Sequence, residues 1–78
     1  MIAMAAEDPA VMKLRHMLGA DRARTLLAQT LPVLGIKEVK TPNDRLKLGK
    51  ELMTRGGLLE ALGAAIKTQA LLHGAKDE

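Results

Sequence analysis

Residues 56–74, Gly56-Gly57-Leu58-Leu59-Glu60-Ala61-Leu62-Gly63-Ala64-Ala65-Ile66-Lys67-Thr68-Gln69-Ala70-Leu71-Leu72-His73-Gly74, decide how this chain has to fold. Glycines bracket the stretch, and the one inside it costs a helix only about 1 kcal/mol, so the spacing predicts one long helix. On a helical wheel Leu58, Leu59, Ala61, Leu62, Ala64, Ala65, Ile66, Ala70, Leu71 and Leu72 cover roughly 260° of the circumference. Only the strip through Glu60, Gly63 and Lys67 reads as polar. A helix apolar over so much of its girth needs neighbours on several sides. The stretch is long enough to span a bilayer. Glu60 and Lys67, however, would each cost roughly 2.5–3.5 kcal/mol near its centre, which excludes that reading.

The segments before it are shorter and better punctuated. Asp8 before Pro9 reads as a cap and first helical residue, opening a helix that stops at Gly19. Ala10, Val11, Leu14, Met17 and Leu18 share its apolar face, opposite Lys13, Arg15 and His16. Asp21 is expected to cap a second helix from Arg22 to Leu34 with an apolar stripe of Ala23, Leu26, Leu27, Leu31, Val33 and Leu34. Pro32 should kink its last turn or end it. After Gly35, residues 36–40 read as an extended connector too short to be a strand. Thr41-Pro42-Asn43-Asp44 resembles a capping box and opens a third helix running to about Arg55, which buries Leu46, Leu48, Leu52 and Met53.

The expected fold is therefore all-α: a small four-helix domain, residues 8–74, between a flexible segment 1–7 and a polar tail 75–78. A chain of 78 residues buries only about 60% of the surface it exposes when unfolded, so its own core is marginal. It has no cysteine for a disulfide and only His16 and His73 as nitrogen ligands for a metal. Association with a second copy is the remaining support, which makes a homodimeric helical bundle the expectation. Gly57, Ala61 and Ala65, four apart, form a small-residue ridge suited to close helix packing. The expected self-association seam is Leu58, Ala61, Leu62, Ala65, Gln69 and Leu72.

Chemistry is sparsely provided for. The chain has no serine and no cysteine, and it carries neither a phosphate-binding glycine loop nor a metalloprotease motif. Asp8, Asp21 and Asp44 read as caps, and Glu38, Glu51 and Glu60 as surface partners. Gln69 and His73, one turn apart, read as a polar pair near a helix end, and His16 as a solvated residue. No catalytic, metal or cofactor-binding residue is assigned, and a non-enzymatic role is expected.

The charge is distributed unevenly. Residues 13–55 carry ten Lys/Arg against four acids, a balance of +6 within a net charge of +3, and both ends are mildly acidic. Arg22, Arg24, Lys37, Lys40, Lys47, Lys50 and Arg55 are candidates to contact an acidic protein surface or nucleic-acid phosphates. With no Phe, Tyr or Trp, stacking on single-stranded bases is unavailable. The reading that results is a cytoplasmic helical interaction module, an adaptor or regulator that self-associates and docks a protein partner. The alternative is a dimeric DNA-binding protein that contacts mainly backbone phosphates. The cytoplasmic placement rests on the missing cysteines and on a start, Met1 to Ala6, without a basic segment or an apolar run long enough for secretion.

Overall fold

The computed structural model describes residues 8–76, and they form four α-helices with no strand among them. The helices are α1 (Pro9–Leu18), α2 (Ala20–Leu34), α3 (Pro42–Met53) and α4 (Gly57–Leu72). The expected segment 1–7 lies outside the described residues. The all-α four-helix expectation holds.

Local signals set most of the boundaries. Asp8 caps α1 by accepting a hydrogen bond from the Ala10 N–H at 2.8 Å, with Pro9 in the first turn. At α3 the capping box is complete. The Asp44 N–H donates to Thr41 Oγ1 at 3.1 Å, and Asp44 Oδ2 accepts from the Thr41 N–H at 3.2 Å. Burial pushes the Asp44 carboxyl up. The N–H groups of Lys40 and Thr41, the Thr41 hydroxyl and the charge of Lys47 outweigh it and hold the group below the ordinary aspartate value. A depressed folded-state value means that this cap stabilises in full above the unfolded-state value and loses its contribution as pH falls through the folded one. Asp44→Asn should therefore flatten the loss of stability on acidification below about pH 4, measured by urea melts across pH.

The second helix starts earlier than its sequence indicates. Gly19 takes φ 88° and ψ 161°, ends α1 by donating its N–H to the Arg15 carbonyl, and accepts from the Ala23 N–H at 3.0 Å. A single residue thus turns the chain, in a conformation that only glycine adopts cheaply. Asp21 lies in the first turn of α2 rather than at its cap. Pro32 does not end the helix, which continues to Leu34. The proline is exposed, as is Ala28, whose carbonyl lies one turn before it and is the one left without a helical N–H donor. The helix closes where the Ile36 N–H reaches the Leu31 carbonyl at 3.2 Å and the Gly35 N–H reaches the Pro32 carbonyl at 3.1 Å.

Packing departs from the wheel in instructive ways. Ala10, Leu14, Ala23, Leu26, Val39, Leu48, Leu52, Leu62 and Ile66 form the main core. Met17 and Val33, expected inside, are 55% and 65% exposed. On α2 the buried face instead includes Thr30, at the helical spacing that continues Ala23 and Leu26. Its Oγ1 is fully buried with no hydrogen-bond partner among the described residues. Thr30→Val should accordingly stabilise the protein by about 1 kcal/mol, by removing a desolvated hydroxyl at nearly constant shape. The check is a thermal melt, with Tm rising by roughly 4–8 °C.

The α3 and α4 helices form the tightest pair, an antiparallel hairpin through Thr54–Gly56. Gly49 and Gly63 face each other at its centre. A Cβ built on Gly63 would lie 2.5 Å from the Gly49 carbonyl oxygen, and one on Gly49 would lie 2.8 Å from the Gly63 oxygen. The supposedly polar strip of α4 thus contains its closest contact, because backbone approach requires a missing side chain rather than an apolar one. Below it Leu46, Ala70 and Ala75 form a second small core. Ala75, expected to begin a polar tail, is buried there, with its N–H donating to the Ala70 carbonyl at 2.9 Å.

One ion pair ties the two halves together. Arg45 on α3 donates through Nη1 to Asp8 Oδ2, the carboxylate that also caps α1. The side chains are 11% and 7% exposed, and Arg45 Nε is buried without a partner among the described residues.

Candidate functional site

Among the described residues no three His, Cys, Asp or Glu side chains come together, and no helix is long and apolar enough to cross a membrane. His16 is exposed on α1, and His73 closes α4 with its N–H directed to the Gln69 and Ala70 carbonyls at 3.0 and 3.1 Å. The notable feature is where apolar surface remains.

The buried side of α4 is Leu62, Gly63, Ile66 and Ala70, against which α3 and α1 pack. Placing those four on the wheel leaves Leu58, Ala61, Ala65, Gln69 and Leu72 together on another side, within roughly 80°. Leu58 is 53% exposed and Leu72 78% exposed, Ala61 is exposed, and Ala65 and Gln69 are half-buried. Five of the six expected seam residues therefore share one outward strip. Leu62, the sixth, is buried in its own chain's core and is unavailable to any partner. Gly57, expected in the close-packing ridge, is exposed at the start of α4.

Two shallow clefts flank the strip on the α1 side. At the Leu58 end, Leu18, Leu26, Leu58 and Leu59 floor an open cleft of about 450 Å³ with Asp21, Arg22, Thr25 and Gln29 also lining it. At the other end, Pro9, Met12, Lys13, His16 and Met17 of α1 meet Gln69 of α4 around about 400 Å³. Asp8 at the start of α1 pairs with Arg45 near the start of α3, and the neighbouring Leu46 packs on Ala70 near the end of α4, so α1 and α4 run antiparallel. Met17, expected in the core, is exposed beside the strip together with Met12, while Met53 is half-buried.

The basic residues are less concentrated than their sequence segment suggests. Arg22 and Arg24 are on α2, Lys37 and Lys40 on the connector, and Lys47 and Lys50 on α3, with Arg55 just after it. Arg24 lies 3.9 Å from Asp21, Lys40 is 2.9 Å from Glu38, and Arg55 is 3.3 Å from Glu51. The hydrogen bond that Lys40 donates to the Glu38 carboxylate, and then the charge of Glu38, hold the Lys40 ammonium above the usual lysine value. Local carboxylates thus partly neutralise Arg24, Lys40 and Arg55. Arg45, which the sequence did not single out, is occupied by Asp8. No protein-family model, curated protein or solved structure matches the chain.

Proposed function

We propose that this protein is a non-enzymatic helical interaction module of the cytoplasm, which self-associates and presents its basic residues to an acidic protein partner. The observation that carries this reading is the outward strip of α4, where two large leucines stay exposed at either end of Ala61, Ala65 and Gln69. Isolated exposed leucines need no explanation, but an aligned apolar strip beside exposed methionines is a contact surface. The dispersed cations then serve orientation and encounter with a partner rather than forming a dense phosphate-binding stripe.

Leu58→Glu and Leu72→Glu test it. Each should weaken self-association at least tenfold, followed by sedimentation velocity, and leave the helical circular-dichroism signal unchanged. Variants that associate as well as the parent would overturn the reading. Titration with duplex DNA separates the rival class. Tight binding that falls steeply between 50 and 200 mM salt would favour phosphate recognition over a protein partner.

A further inference from the structure

We infer that two copies pair through α4 in antiparallel fashion, with the two-fold axis at Ala65. This rests on the self-association reading above and adds its geometry. Along the strip the residues are Leu58, Ala61, Ala65, Gln69 and Leu72, with successive spacings of three, four, four and three. That spacing reads the same in both directions. A two-fold interface places the same patch on both copies, so each residue must meet its mirror position. With Ala65 on the axis, Leu58 meets Leu72 of the second copy, Ala61 meets Gln69, and Ala65 meets itself. Leu58 and Leu72 fall at the ends and Ala65 at the centre, where the two helices cross most closely, with Ala61 leaving room for the longer Gln69 opposite it.

The surroundings fit the same occupant. The axis lies in the interface across α4, so the α1 side of one copy faces the α1 side of the other with its ends exchanged. The Leu58 end of one copy, with its cleft of Leu18, Leu26 and Leu59, therefore receives Leu72 from the other. Arg22 at that cleft is brought over the C-terminal end of the opposing α4, whose last turn contains no basic residue and which is the negative end of its helix dipole. Met12 and Met17 border the contact at its other end and supply adaptable apolar surface. The strip runs about 21 Å at 1.5 Å per residue, and with α1 beside it the face is about two helix diameters wide. Its footprint of roughly 400 Å² per copy, or about 800 Å² for the pair, is smaller than stable pairs bury and belongs to a weak, transient association, so the expected dissociation constant is micromolar or weaker.

The absence of native cysteine makes the register directly measurable. Under mild oxidation, Ala65→Cys should form a disulfide-linked dimer. Leu58→Cys alone should not, whereas a mixture of Leu58→Cys and Leu72→Cys chains should cross-link to each other. Nitroxide labels at position 58 should be about 21 Å apart along the helices, against about 8–10 Å for a parallel pair, which covers the case in which a disulfide disturbs the seam. Efficient self-linking of Leu58→Cys, or the short label distance, would overturn the antiparallel arrangement and leave self-association standing. A dimer by mass that cross-links at none of these positions would show that another face is used. A protein that stays monomeric at every concentration would overturn both readings together.

Discussion

Gly63→Ala should destabilise this protein by about 3 kcal/mol, although alanine is the better helix former by about 1 kcal/mol. The cause is geometric. The new methyl carbon would stand 2.5 Å from the Gly49 carbonyl oxygen, 2.8 Å from the Met53 nitrogen and 2.9 Å from Leu52 Cβ. Two of those atoms are backbone and cannot swing aside, so α3 and α4 must separate along the contact that organises the fold. Against a total stability of about 4–12 kcal/mol for a domain of this length, the change lowers Tm by roughly 12–24 °C. Gly49→Ala should act in the same direction, because its methyl would meet the Gly63 oxygen and the Lys67 nitrogen, each at 2.8 Å. The double variant should cost less than the two single losses combined, since helices already pushed apart accept the second methyl more readily. A rise in Tm for Gly63→Ala would mean that the two helices do not meet here.

The second large effect lies at Asp8. Its carboxylate caps α1 and neutralises Arg45, and both side chains are almost wholly enclosed. Asp8→Ala removes the partner and leaves a guanidinium buried, a change that typically costs about 3–5 kcal/mol. Loss of the cap adds about 1 kcal/mol. Asp8→Asn retains a capping oxygen but loses the charge, so it should fall between the parent and Asp8→Ala in urea denaturation. Adding Arg45→Met to either variant should restore much of the loss, because an apolar side chain of similar length leaves no stranded charge. A cost below about 1 kcal/mol for Asp8→Ala would assign the pair to the class of solvated surface bridges.

These two sites also mark the limit of what the sequence disclosed. Asp8-Pro9, Gly19, Gly35 and Thr41-Pro42-Asn43-Asp44 act on neighbours a few residues away, so their caps and turns could be read directly and the four helices located. Gly49 and Gly63 matter to each other across a hairpin, and Asp8 and Arg45 across 37 positions, and neither pairing leaves a local trace. A wheel scores Gly63 as neutral, which placed the closest contact of α4 on the side expected to face water. Thr30 was overlooked for a similar reason, since its type reads as polar while its spacing continues the core face. The outward strip fared better. Leu58, Ala61, Ala65, Gln69 and Leu72 follow from periodicity alone, and only Leu62, at the border between strip and core, was assigned to the wrong side of that border.

The proposed function requires that α4 be covered by a second copy. Sedimentation equilibrium from about 1 to 500 µM tests this most directly, read beside circular dichroism at the same concentrations. The average mass should climb from 8.4 kDa toward twice that value, with the midpoint in the micromolar range and helicity constant throughout. A fully helical protein that remains at 8.4 kDa across the whole range would contradict it.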